Sequence, residues 1–195
     1  MKNSYDTLFG DAMRIEDIDF TLVERGAVAP ARAHQYDAGN DLFAIESKEI
    51  KPGELVKVRT GIAVALPEGT QGIIKDRSSI GSKGLHVFAG VIDSGYTGEI
   101  SVMLYNANTW LTPDSVLKVI QSGMNVKNVL FGKSRMLEEI TKSMHQEYDS
   151  KIYKINKGDK IAQLIVSPIT VVHWWKKPTL GKTERGSSGF GSSGK

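Results

Sequence analysis

The sequence predicts a mainly β domain, a sandwich or barrel, that carries a short helical insertion. Three observations lead there. Short stretches rich in Val and Ile recur at close spacing through the first half, each bounded by turn residues. Between Asn108 and Tyr153 the apolar residues take up a helical period instead. β character then returns up to Trp175, after which apolar content collapses. Closely spaced strands of this kind suit antiparallel sheets better than a parallel α/β sheet.

The elements follow in order. "DFTLVER" (Asp19–Arg25) alternates Phe20 and Leu22 before turning to charge. "LVKVRTGIAVAL" (Leu55–Leu66) reads as a long strand stopped by the turn "PEG" at Pro67–Gly69. "QGIIKD" (Gln71–Asp76), "HVFAGVI" (His86–Ile92) and "EISVMLYN" (Glu99–Asn106) read as further strands. "TPDSVLKVI" then offers Thr112 as an N-cap, Pro113 at the first helical position and Asp114 in the first turn. In "RMLEEITKSMHQEY", Met136, Leu137, Ile140 and Met144 share one helical face, with Glu138 and Lys142 at i,i+4. "KIAQLIVSPITVVHWW" (Lys160–Trp175) restores the strand pattern, and Trp174 and Trp175 are expected on the core or at a subunit contact. The expected organisation is an extension over 1–17, a β domain over 18–177 with an inserted segment over 108–153, and a C-terminal arm over 178–195.

Composition narrows the function classes. The chain has 195 residues, 40% hydrophobic and 24% charged, which is ordinary for a globular protein. Lys+Arg 25 against Asp+Glu 22 leaves a formal +3, too mild to point to nucleic acid although a local basic patch still suits a small anion. Cysteine is absent, which excludes disulfides, thiolate zinc sites and cysteine nucleophiles. No apolar run approaches a membrane span, and Met1–Asp11 has no secretory core, so a cytoplasmic protein is expected.

Several motifs bear chemistry. "DRSSIGSKGL" (Asp76–Leu85) follows a strand and joins a basic side chain, hydroxyls and glycines, which suits either a phosphate-binding turn or a polar surface loop. In "AGVIDSGYTGEISVMLYN" (Ala89–Asn106), a β-hairpin is expected to hold Asp93 and Tyr96 rigidly at a strand end. A carboxylate there can serve as general base toward water, and the ring can pack on a sugar; an ordinary turn Asp is the plainer reading. "HQYDAGNDLFAIE" (His34–Glu46) carries Asp37 and Asp41 around a glycine, where a carboxylate can orient waters on a hard cation such as Mg²⁺ or simply form a turn. In "KGDKIAQLIV" (Lys157–Val166), Gln163 is the lone polar residue in an apolar run, so it points outward or donates to a partner. His34, His86, His145 and His173 show no ligand spacing and read as structural or exposed.

The C-terminal "RGSSGFGSSGK" (Arg185–Lys195) admits three readings. Gly189, Gly191 and Gly194 spell G-x-G-x-x-G, but a single residue follows Gly194 and no helix can open there, so a Rossmann unit is not expected. A Gly/Ser linker seldom carries an Arg at its start and a Phe in its middle. A guanidinium suits phosphate, a ring between glycines suits stacking on a base, and glycine backbone lets amides approach anionic oxygens. An arm that closes over a nucleotide fits these residues best.

Taken in order, "AGNDLFA", "DRSSIGSKGL", "AGVIDSGYTGEI", "KGDKIAQLIV" and "RGSSGFGSSG" resemble the five ordered motifs of the trimeric dUTPase family. The resemblance runs from about Asp19 to Gly194 and leaves out the N-terminal extension and Asn108–Tyr153. It implies a jelly-roll-like distorted β-barrel, a homotrimer, and Mg²⁺-dependent hydrolysis of dUTP to dUMP and pyrophosphate, which keeps uracil out of DNA and supplies dUMP for dTTP synthesis. Carried over by residue, it makes Asp93 the base that activates the attacking water. Tyr96 would pack on deoxyribose, and the backbone of Gly90, Val91 and Ile92 would read uracil, with Ser101 in the following strand also at the substrate. Arg77, Ser78, Ser79 and Gln163 would hold phosphates. Asp41 would orient the water shell of a Mg²⁺ carried mainly by the triphosphate. Arg185, Phe190, Gly191, Ser192 and Ser193 would come from a neighbouring subunit, with Phe190 over the base.

Departures from the family pattern are local. Asn40 stands where Tyr is usual, Ser79 where Gly is common, and Asp76 where Pro is frequent. The insertion between the third and fourth motifs is shared by some phage members, so a phage or prophage origin is expected. The nearest competing enzyme is the related dCTP deaminase, alone or as a bifunctional enzyme; its catalytic Glu position is occupied here by Met103, which cannot shuttle protons. A regulatory module that uses Asn108–Tyr153 to bind a protein partner is the non-enzymatic alternative. Neither membrane nor direct nucleic-acid contact is expected.

Overall fold

The computed structural model describes residues 17–109, 133–184 and 186. Strands run in the order β1 (Asp19–Leu22), β2 (Asn40–Phe43), β3 (Lys48–Ile50), β4 (Leu55–Ala65) and β5 (Thr70–Lys75). A one-turn helix α1 (Ser78–Gly81) precedes β6 (Leu85–Phe88), β7 (Val91–Asp93) and β8 (Glu99–Asn106). Helix α2 (Lys133–Ser150), β9 (Tyr153–Ile155) and β10 (Lys160–Pro168) complete the described chain.

The strands form a sheet β1-β4-β8-β6, a second sheet β2-β10-β5-β7 and a small β3-β9 ribbon, antiparallel throughout. This is the mainly β, jelly-roll-like architecture expected. The reason is visible in β8, whose residues alternate half-buried and buried along "EISVMLYN", the period of a strand with one face inward. Ile100, Val102 and Leu104 from β8 meet Val58 and Ile62 of β4 on one side of the core. Leu42, Ile74, Ile161 and Leu164 of the second sheet meet them from the other, and Ile50 and Ile155 of the ribbon close the end. No described helix is long and apolar enough to cross a membrane.

Four expectations need correcting. His86–Ile92 is two strands in different sheets: β6 pairs with β8, whereas β7 pairs with β5. The break falls at Ala89 and Gly90, which take positive φ of 61° and 105°. A Cβ at Gly90 would lie 2.8 Å from the Ile74 carbonyl oxygen, so the chain turns this corner only with glycine. By the same token Ala89–Asn106 is no paired hairpin, since β7 and β8 belong to opposite sheets and the Ser94–Gly98 turn carries the chain between them. The last strand stops at Pro168 instead of Trp175. Beyond it, Trp174 and Trp175 are 93% and 83% exposed, so of the two placements expected for them this chain's core is removed and a subunit contact is left. Finally, β1 alternates no faces: as an edge strand it leaves all four of its residues exposed.

Within the inserted segment, Lys133–Ser150 is helical as expected. The proposed cap at Thr112–Asp114 lies outside the described residues. The segment's two ends are tied to the β domain. Asn106 is fully buried and donates from Nδ2 to the carbonyls of Ile50 and Lys151 at 2.9 and 2.8 Å. Asn108 donates to the Lys83 carbonyl at 2.8 Å, and Tyr153 packs against the core as the first residue of β9.

Candidate functional site

Two groups of sequence-predicted residues are each assembled by the fold. The first gathers Asp41, Arg77, Ser79 and Gln163 at one end of the second sheet. Gln163 on β10 sits in register between Asp41 on β2 and Lys75 on β5, so the loop leaving β5 passes directly beside it. Arg77 donates from Nε to Asp41 Oδ1 at 2.7 Å and from Nη1 to Ser79 Oγ at 3.2 Å. Gln163 donates from Nε2 to the Asp76 carbonyl at 2.8 Å, which answers whether this polar residue in an apolar run has a partner. Ser78 and Ser79 are exposed on α1, with Arg77 as its N-terminal flanking residue in extended conformation.

Sequence reasoning missed Lys160 in this group. Its Nζ lies 2.8 Å from Asp41 Oδ2, so one carboxylate, 9% exposed, holds two cations. An offset of three residues from Gln163 puts Lys160 on the opposite face of a regular strand. The register of β10 against β2 shifts between Lys160 and Ala162, and that irregularity lets the Lys160 side chain reach Asp41, the strand partner of Gln163. Asp76, also missed, fastens the loop from the other side: its carboxylate accepts the Val87 amide at 2.6 Å and lies 3.0 Å from His86 Nδ1. Two cations around one carboxylate, with exposed hydroxyls alongside, leave a local positive charge suited to an anion with several oxygens.

The second group surrounds Asp93 at the end of β7. Asp93, Tyr96 and Ser101 line one recess of about 350 Å³, with Val91, Ile92, Lys57, Glu99 and Met103 among the other lining residues. The Tyr96 amide donates to the Asp93 carbonyl at 3.0 Å, making a tight turn that keeps both residues at the recess. The Asp93 carboxylate is exposed to solvent and so available to a water. Gly90 accepts the Ile74 amide at 2.7 Å and thereby anchors β7 against β5. Met103, at the position where a deaminase would carry its proton-transferring Glu, faces this same recess.

The two groups are not brought together within one chain. Both are referenced to β5, but Asp93 stands opposite Gln71 and Gln163 opposite Lys75, on the two different flanks of that strand. Four residues of strand separate those rows, about 13 Å at 3.3 Å per residue. Among the described residues no group of three His, Cys, Asp or Glu is placed to hold a metal ion. Arg185, Phe190, Gly191, Ser192 and Ser193 lie outside the described residues.

Comparison with known proteins gives the family. A family model described as dUTPase matches residues 25–110 and 121–194. The deoxyuridine 5'-triphosphate nucleotidohydrolase of Clostridium tetani is 33% identical over 177 residues, 89% of this chain and 94% of its own length. That of Corynebacterium diphtheriae is 36% identical over 168 residues, covering 85% of this chain and 84% of the relative. Among solved structures, the Staphylococcus bacteriophage 80alpha dUTPase with dUPNHPP superposes with a TM-score of 0.69 at 30% identity, over 92% of this chain and 99% of that one.

Proposed function

The chain belongs to the dUTPase family, and on that premise we propose how its own residues hydrolyse dUTP to dUMP and pyrophosphate. The observation that carries the mechanism is the shared recess of Asp93 and Tyr96. Asp93 takes a proton from a water, which then attacks the α-phosphorus in line with the departing pyrophosphate. Tyr96 packs on the deoxyribose and fills the space a 2′-hydroxyl would need. The backbone of Gly90, Val91 and Ile92 reads uracil by its hydrogen-bonding edge, and Ser101 completes the wall.

Arg77, Ser78, Ser79 and Gln163 receive the phosphates. Asp41 orients Arg77 for this task, with Lys160 as the second cation on the same carboxylate. Mg²⁺ would supply charge neutralisation on the triphosphate. A lone buried carboxylate with no partner cage suits an ion that keeps its waters and rides on substrate oxygens. Each Asp41 oxygen accepts one cationic partner and retains a lone pair for such a water.

The separation of the two groups along β5 supports a homotrimer in which one subunit brings Asp93 and Tyr96 to the phosphate-binding group of another. Exposed Val171, Val172, Trp174 and Trp175 after β10 provide apolar surface for such contacts. Arg185, Phe190, Gly191, Ser192 and Ser193 would then close over the nucleotide from a neighbouring subunit and exclude bulk water. The segment between the third and fourth motifs, where the family match is interrupted from 111 to 120, is an accessory surface outside the catalytic machinery.

Met103 in the recess argues against deamination, because a thioether transfers no proton. A panel of dUTP, UTP, dCTP and dTTP with Mg²⁺, with pyrophosphate and ammonia read separately, tests the reading. Pyrophosphate from dUTP alone is expected; ammonia from dCTP would overturn it.

A further inference from the structure

The seat of Tyr96 is built by residues with no assigned part in the reaction. Its hydroxyl donates to the Glu99 carbonyl at 3.0 Å. Its ring lies so close over Gly98 that a Cβ there would stand 2.7 Å from the hydroxyl oxygen and 2.8 Å from Cζ. The ring is therefore laid against the backbone of 98–99, so a shift of that backbone shifts the ring's seat.

That backbone is held by the Glu99 side chain. Oε1 accepts the Gly61 amide at 2.9 Å, and Oε2 accepts Arg59 Nε at 3.1 Å. Arg59 in turn reaches Glu24 Oε2 with Nη2 at 2.5 Å, so its guanidinium bridges two carboxylates. The hydrogen bonds that Arg59 donates to Glu99, first, and to Glu24 hold its pKa above the ordinary value. The lock falls where the register of β4 against β8 shifts between Arg59 and Ala63, so a side chain here takes a backbone donor of the displaced strand. Glu99 also lines the recess that holds Asp93 and Tyr96.

We propose that Glu99, locked by Arg59 and the Gly61 amide, is a positioning residue that sets Tyr96 against the sugar and thereby sets the preference for dUTP over UTP. The inference rests on the reading of Tyr96 as the wall of the sugar site. A displacement of about 1 Å in a positioning contact can cost on the order of a hundredfold in rate. Exclusion of a single hydroxyl depends on a wall that does not yield. Selectivity is the ratio of the two kcat/KM values, and that ratio does not depend on how much of the enzyme is folded.

The test measures kcat and KM for dUTP and for UTP, together with melting temperature, in Glu99→Gln, Arg59→Met, Arg59→Lys and Tyr96→Ala. Glu99→Gln keeps an oxygen for Gly61 but loses the charge opposite Arg59, and Arg59→Met breaks the same lock from the other side. In both, the dUTP-to-UTP ratio is expected to fall about tenfold, through a higher KM for dUTP and a gain on UTP, with partial recovery in Arg59→Lys. A wild-type ratio in Glu99→Gln and Arg59→Met, beside a lowered one in Tyr96→Ala, overturns the role of Glu99 and leaves Tyr96 standing. An unchanged ratio in Tyr96→Ala overturns both.

Discussion

Asp41 on β2 and Arg77 in the loop that leaves β5 meet in a 2.7 Å ion pair that Lys160 extends at 2.8 Å on the other carboxylate oxygen. The pair fixes the direction of the guanidinium, so its loss should be felt in substrate binding before chemistry. Asp41→Asn keeps an acceptor for Arg77 but leaves two cations without a countercharge. We expect KM for dUTP to rise about tenfold with a smaller fall in kcat, and stability to drop by about 2 kcal/mol, the scale of a charge-assisted hydrogen bond. Steady-state kinetics and denaturant unfolding check both parts. An unchanged KM would remove Asp41 from the phosphate site.

Asp93 stands at the free end of β7, exposed and one turn from Tyr96. Replacing its carboxylate by the isosteric amide in Asp93→Asn removes the base and leaves the recess its shape. Pyrophosphate release is expected to fall by roughly 10²–10⁴, the usual contribution of general-base catalysis. Affinity for a non-hydrolysable imido analogue of dUTP should stay within a few-fold of wild type. Rapid turnover in this variant would require another base.

How much of this was readable beforehand depends on the range of the interaction. The Asp93–Tyr96 turn is local, three residues long, and its strand-end position shows in the sequence. Gln163 is conspicuous as one polar residue in an apolar run, although its partner, the Asp76 carbonyl, is 87 positions away. Lys160 stayed hidden because a register shift in β10 overrides the alternation on which sequence reading depends. The split of "HVFAGVI" into β6 and β7 was equally hidden, since Ala89 adopts its positive φ only under tertiary constraint and nothing in an apolar run announces it. For Trp174 and Trp175 hydrophobicity alone left core and subunit contact open, because it does not say whether the surface that covers them belongs to the same chain; their exposure removes the first.

Glu46, which is not among the residues lining the recess, gives a pH test. Burial pushes its pKa up, but the Arg59 amide at 3.1 Å and Lys48 at 3.1 Å more than offset this and hold it below 4.5. A depressed folded-state pKa adds stability that is fully present above the unfolded value and is lost as pH falls through the folded one. Glu46→Gln should therefore cost stability at pH 7, by less than about 1 kcal/mol for a carboxylate partly open to solvent. The difference from wild type should shrink progressively below pH 4.5. Equal differences at pH 7 and pH 3 would assign the effect to packing.

Truncation after Lys182 removes the Arg185–Ser193 motif and nothing that the described core uses. Leu180 before the cut is 88% exposed, so the core does not depend on the tail near it. Circular dichroism and melting temperature should be unchanged, while kcat/KM for dUTP falls by at least a hundredfold, because a guanidinium, a stacking ring and exclusion of water go together. Full activity in the truncated enzyme would sink the arm as a functional element.

The inserted segment can be removed cleanly only if the deletion respects its anchors. Asn106 bonds the Lys151 carbonyl at 2.8 Å, so the two ends of the segment already lie side by side and a short link can join them. Asn108 and Tyr153 must stay, the first for its hydrogen bond to Lys83 and the second for its place in the core. Deleting residues 110–149 and joining the ends through a few glycines should leave dUTP hydrolysis within about threefold of wild type, since closing a shorter loop costs little and no recess residue is touched. A cut that takes Lys151 and Tyr153 as well should destabilise the domain by several kcal/mol, as Asn106 would lose a partner in a fully buried setting. If the conservative deletion abolished hydrolysis while the fold persisted, the segment would belong to the catalytic machinery and the accessory reading would fail.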